Sequence, residues 1–98
     1  MAAVTDEQVE RVRDLVASIP PGRVSTYGDI AEAAGLSSPR IVGWIMRTDS
    51  SDLPWHRVIS ASGRPAAHLA TRQLERLRAE GVLAVDGRVR LREYRHEF

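Results

Sequence analysis

The amino-acid pattern predicts a mainly α-helical fold with a small β-hairpin, arranged as a winged helix-turn-helix. Three observations predict it. Two short segments of helical periodicity, capped by Thr26 and Ser38, are parted by Gly35. A longer amphipathic segment precedes them behind a capping box. Near the end, Asp86-Gly87 joins the apolar stretch Val82-Leu83-Ala84-Val85 to the alternating basic-apolar stretch Arg88-Val89-Arg90-Leu91, the strongest short hairpin signal.

Each element follows from its residues. Thr5-Asp6-Glu7-Gln8 has capping-box spacing, and Val9, Val12, Leu15 and Val16 then recur at helical intervals to about Ala17. Pro20-Pro21-Gly22 stops that helix. Arg23-Val24-Ser25 is short and extended. Thr26 caps a second helix, Tyr27 to Ala34, with Ile30, Ala31 and Ala34 inward and Gly35 as left-handed C-cap. Ser38-Pro39 opens a third helix through Met46, with serine as cap and proline in the first turn. Residues 48–52 form a polar linker, Leu53 to Ser60 an extended or irregular segment, and Ala61 to Pro65 a turn. A fourth helix runs from near Leu69 or Thr71 to Glu80, packing Leu74 and Leu77, with Gly81 after it. In the hairpin that follows, residues 82–91, Val89 and Leu91 alternate with Arg88, Arg90 and Arg92, giving one apolar and one basic face.

Composition limits the function. The length of 98 residues suits a single domain spanning 1–98. No apolar run approaches a transmembrane length, and Met1 to Val4 lack the features of a secretory leader. A cytoplasmic protein with no membrane partner is expected. The absence of cysteine excludes disulfides, thiolate metal sites and thiol catalysis together. His56, His68 and His96 are dispersed, and no phosphate-binding glycine loop occurs, so neither metal nor cofactor is expected. The net charge is +1, unevenly placed: residues 1–56 hold five arginines against eight acids, residues 57–98 nine against five. All basic residues are arginine, which suits bidentate phosphate contacts and stacking on bases. Genomic base composition accounts for that bias equally well.

Three motifs carry more specific information. They are Pro54-Trp55-His56-Arg57-Val58 with Ile59, the run from Ile19-Pro20-Pro21-Gly22-Arg23-Val24-Ser25-Thr26-Tyr27 to Ala31, and Arg40-Ile41-Val42-Gly43-Trp44-Ile45-Met46-Arg47. In this order and spacing, from about Thr5 to Val82, they resemble the DNA-binding domain of O6-alkylguanine-DNA alkyltransferases, and more closely the alkyltransferase-like proteins. The fold expected is therefore a winged helix domain of the alkyltransferase type. The enzymes carry cysteine where Trp55 stands. A thiolate displaces an alkyl carbon because it is charged and polarizable. An indole N–H only donates a hydrogen bond. The resemblance thus implies a lesion binder and not an enzyme.

It also implies roles for individual residues. The lesion pocket comprises Pro54, Trp55, His56 and Val58 with Tyr27, Met46, Glu80 and His68. Contacts to duplex DNA fall to Thr26, Tyr27, Ser38, Arg40, Gly43, Arg47 and Arg64. His56 and Glu80 match a relay that takes the thiol proton in the enzymes. Tyr27 matches the tyrosine that crowds the 3′ phosphate, and Arg40 the finger that fills the gap left by a flipped base. Asp49 falls where the enzymes hold a hinge asparagine. Read without the resemblance, Trp55 is a core tryptophan, Tyr27 a packing residue, Arg40 a solvated helix arginine, and His56 and Glu80 surface groups. The implied docking is in the minor groove, about 6 Å wide, so small residues are needed on the third helix. Trp44 is bulky for that face.

The leading expectation is a monomeric, non-enzymatic sensor of double-stranded DNA carrying O6-alkylguanine. It would flip the base and recruit nucleotide excision repair proteins, becoming nucleoid-associated when bound. The residues alone also admit a sequence-specific winged-helix transcription regulator reading the major groove, or a hydrolytic dealkylase using His56 and Glu80.

Overall fold

Thr5 and Gln8 cap one another at the start of the first helix: the Thr5 hydroxyl accepts from the Gln8 amide at 3.1 Å, and the Gln8 side chain accepts from the Thr5 amide at 3.0 Å. The computed structural model describes residues 4–98. Met1 to Ala3, read above for a leader, lie outside the described residues. Helix α1 spans Asp6–Ala17 and buries Val12 and Val16. Strand β1 is Ser25–Thr26, α2 is Tyr27–Ala34 and α3 is Pro39–Thr48. Gly35 closes α2 with φ of 70°, a conformation that costs glycine little.

A first core joins these three helices through Val12, Val16, Ile19, Ile30, Val42 and Ile45, each fully buried. Val58 completes it from the chain beyond α3. A second core holds Val24, Ile59, Leu77, Val82 and Val89, and so ties helix α4 (Ala70–Ala79) to the hairpin β3 (Ala84–Val85) and β4 (Arg88–Val89). The hairpin turn has positive φ at both Asp86 (53°) and Gly87 (73°), as a tight right-twisting turn requires.

Two features depart from the sequence expectations, and a third lies in the tail, for which the sequence pattern makes no prediction. The segment expected to be irregular forms a 3-10 turn at Trp55–Arg57 and then strand β2, Val58–Ile59, which pairs in parallel with β1, Ser25 opposite Val58 and Thr26 opposite Ile59. The hairpin is shorter than expected, because Leu91 starts a one-turn helix α5, Leu91–Tyr94. The tail then returns to β1: Val24 donates to the Tyr94 carbonyl at 2.9 Å and His96 to the Val24 carbonyl at 2.7 Å. Arg95 fixes it there through two 2.7 Å bonds to Asp29 in the first turn of α2.

Candidate nucleic-acid interface

The 3-10 turn is a consequence of its neighbours. The turn opens at Pro54, whose ring fixes φ and whose carbonyl accepts from the Arg57 amide at 3.0 Å. Buried Gln73 of α4 then donates to two carbonyls, of His56 at 3.0 Å and Val58 at 2.8 Å. These bonds hold the turn so that Trp55 points outward while His56 points in. Trp55 is half-buried; His56 is 8% exposed.

Trp55 forms one wall of an open cavity of about 870 Å³ between α2, α3 and α4. Tyr27 contributes from α2; Gly43, Met46 and Arg47 from α3; Ser50 and Ser51 from the linker; Val58, His68 and Arg72 from the chain beyond. None of the lining residues is acidic. The guanidinium carbons of Arg72 and Arg76 lie 5.7 and 5.3 Å from the Trp55 ring centroid, within cation–π range. Burial pushes the Tyr27 phenol pKa up, partly offset by the Arg47 charge, so the phenol is neutral and able to donate at neutral pH.

Of the eight residues expected in the pocket, Trp55, Val58, Tyr27, Met46 and His68 line this cavity. Pro54, His56 and Glu80 do not, which corrects their expected placement. Pro54 only shapes the turn. His56 and Glu80 lie behind Trp55, with Nε2 of His56 2.9 Å from Oε2 of Glu80. The stronger partner of Glu80 is Arg57, which reaches it from Nη2 at 2.7 Å and from Nε at 3.0 Å, and also donates to the Ile19 carbonyl at 2.9 Å. The Arg57 hydrogen bonds, helped by His56, pull the Glu80 pKa down to about 2 against its burial. Nδ1 of His56 is buried and has no partner among the described residues.

The expected DNA contacts separate likewise. Arg40, Gly43, Trp44 and Arg47 share the outer arc of α3, opposite fully buried Val42 and Ile45. Neither Arg40 nor Arg47 has an ion-pair partner among the described residues, so both charges face water. Ser38 sits at the start of this arc, its hydroxyl oxygen capping the Arg40 amide at 3.1 Å. Arg64 is exposed on the turn after β2 and does not line the cavity. Thr26 is corrected outright: it is 2% exposed, and its hydroxyl accepts the Asp29 amide at 3.0 Å as the α2 cap. A capping group under the surface cannot also reach a phosphate.

Sequence reasoning missed the clamp on the linker. Arg13 of α1 donates to the Asp49 carbonyl at 2.7 Å and grips both oxygens of Asp52, at 3.1 and 2.5 Å. It thereby fixes the linker that presents Ser50 and Ser51 to the cavity. No local pattern could reveal a contact between residues so far apart in sequence. Gln73 was missed for the same reason, although a polar residue at a core-facing helix position was a usable sign.

A helix-turn-helix with a basic outer helix, beside an acid-free cavity walled by an indole, defines a nucleic-acid-binding domain with a side pocket ample for a base. Comparison with known proteins makes this specific. The family model for the DNA-binding domain of 6-O-methylguanine DNA methyltransferase matches residues 7–82, and the chain belongs to that family. It is 40% identical over 101 residues to the DNA base-flipping protein of Escherichia coli, covering 95% of this chain and 77% of that one. It is 43% identical to alkyltransferase-like protein 1 of Schizosaccharomyces pombe, covering 79% and 78%. The structure of the latter in complex with damaged DNA containing O6-carboxymethylguanine superimposes with a TM-score of 0.87 at 35% identity, covering 98% of this chain and all of that one. The O6-methylguanine methyltransferase of Mycobacterium tuberculosis gives 0.67 at 31% identity, with 86% of this chain matching 53% of the enzyme.

Proposed function

We propose that this protein binds O6-alkylguanine in duplex DNA without repairing it. The observation that carries the reading is Trp55: a half-buried indole, in the pentad position where the enzymes hold cysteine, walling an open cavity beside a basic helix. The chain has no cysteine to accept an alkyl group, and an indole N–H is no substitute. The relatives named above, one a base-flipping protein and one solved on damaged DNA, support the same reading.

The binding sequence is the one the family resemblance implies, and the exposed basic stripe of α3 beside the cavity supports it. Helix α3 enters the minor groove with Arg40 and Arg47 facing the duplex. Gly43 makes the approach close: a Cβ there would meet no protein atom within 4 Å, so the fold itself does not require glycine. Extruding a base costs a few kcal/mol of stacking and pairing, less for a badly paired alkylguanine. The neutral Tyr27 phenol donates to phosphate, the planar Arg40 guanidinium fills the vacated stack, and the base enters the cavity against Trp55. The bound, distorted duplex then serves as a mark for nucleotide excision repair. We further propose that the chain acts as one domain, as a monomer, and in the cytoplasm.

Competition binding with matched duplexes, one carrying O6-methylguanine, tests the reading. We expect tighter binding to the damaged duplex and unchanged O6-methylguanine in the recovered DNA. Equal affinity for both duplexes fits a sequence-reading regulator instead and removes the proposal. Guanine restored in catalytic excess removes the non-enzymatic part.

A further inference from the structure

We propose that Trp44 is a second DNA-inserting side chain, an apolar wedge that enters the minor groove beside Arg40 and opens a base step outside the cavity. This rests on the duplex-binding reading above. Tryptophan is usually well covered in a folded domain. Trp44 is 47% exposed, on a helix whose other large apolar residues are buried or half-buried. Its ring face is uncommitted: among the described residues it makes no aromatic or cation–π contact, whereas Trp55 carries two guanidinium groups.

Its surroundings name the occupant. Trp44 is four residues after Arg40 and three before Arg47, so all three lie along one outer stripe of α3. The stretch Pro39–Thr48 contains no acidic residue, and both arginines lack ion-pair partners among the described residues. An apolar ring between two free guanidinium groups matches a polyanion with apolar base steps at its centre, and does not match a neutral protein groove. Minor-groove binders commonly drive apolar side chains between base steps, with flanking arginines on the backbone.

Position separates Trp44 from the pocket. Gly43, Met46 and Arg47 line the cavity and Trp44 does not. The indole therefore contacts DNA outside the cavity that receives the flipped base, on the stretch of α3 between Arg40 and Arg47. It acts on damaged and undamaged duplexes alike, lowering the bending cost for both. The bulk that is awkward for a narrow, straight groove is what a pried-open groove accommodates.

Three variants test this. Trp44→Ala removes a side chain that is 47% exposed and absent from both buried cores, and its unfolding midpoint is measured alongside so that affinities are compared between folded proteins. We expect it to weaken binding to both the undamaged and the O6-methylguanine duplex by the same factor, about 10-fold, the scale of one base–aromatic stack. Trp44→Phe keeps a ring and retains most of the affinity. In a Trp55→Phe background Trp44 is the one remaining indole, and its fluorescence is quenched on titration with undamaged duplex. Wild-type affinity in Trp44→Ala, or unchanged emission at saturation, overturns the proposal while leaving lesion recognition intact. A loss confined to the damaged duplex overturns it too, by placing Trp44 at the lesion. Failure of the functional reading itself looks different: the wild type then shows no preference for damaged DNA.

Discussion

Nε2 of His56 lies 2.9 Å from Oε2 of Glu80, yet neither group reaches the cavity. The pair that resembles a proton relay is here part of an internal strut. Glu80 collects Arg57 and His56, and its Oε1 lies 3.4 Å from the Gly22 amide. It thereby fastens the end of α4 to the pentad and to the turn after α1.

Glu80→Gln removes the charge that Arg57 faces. The depression of the carboxyl from 4.5 to about 2 corresponds to about 3 kcal/mol of stability. A depressed carboxylate stabilises the fold above its unfolded pKa, and that stability is lost as pH falls through the folded value. The deficit of the variant against the wild type should therefore be full at pH 7 and shrink between about pH 4.5 and pH 2. Urea unfolding across that range measures it.

Gln73→Leu leaves the carbonyls of His56 and Val58 without their donor. We expect a loss of about 2–3 kcal/mol by chemical denaturation, the cost of buried unsatisfied acceptors. The turn that aims Trp55 loosens with it. Preference for damaged over undamaged duplex should fall more than binding to undamaged DNA.

Arg40→Ala should weaken binding to an O6-methylguanine duplex by about 1–3 kcal/mol with no change in thermal stability. The side chain is exposed, so the fold does not depend on it. Fluorescence anisotropy reads the affinity; wild-type values would exclude Arg40 from filling the stack.

Gly43→Ala should have opposite effects on folding and binding. The added methyl meets open space, and alanine favours a helix over glycine by about 1 kcal/mol, so the melting temperature should rise. The same methyl lies on the face of α3 proposed to approach DNA, so affinity should drop. Higher stability with unchanged affinity would place the duplex elsewhere.

Gly63→Ala probes the joint between the pentad and the wing. Gly63 has φ of 79°, and a Cβ there would stand 2.2 Å from the Val89 carbonyl oxygen. The Val89 amide also donates to the Gly63 carbonyl at 2.8 Å. We expect a loss of more than about 2 kcal/mol in equilibrium unfolding.

The helical part of the fold was legible because its signals are local. The Thr5–Gln8 capping box, the Thr26 and Ser38 caps and the Gly35 stop each act within one turn of chain. The parallel pairing of β1 with β2 was not legible, since two-residue strands carry no periodicity. The C-terminal return onto Val24 was missed likewise. In the site, the pentad identified Trp55 but could not say which of its side chains face outward. Pro54 and His56 were expected at the cavity and lie away from it, because the 3-10 turn rotates successive residues to different sides.

The sequence by itself determined the helix-turn-helix, the absence of any thiol together with an indole in the pentad, and the basic outer stripe of α3. These depend on residue identity and spacing alone. Only the tertiary structure decided that the cavity is open, that Arg13 and Gln73 hold its rim and floor, and that Glu80 serves as a strut. Those outcomes depend on contacts between segments distant in the chain, where the balance of burial and hydrogen bonding is settled by packing.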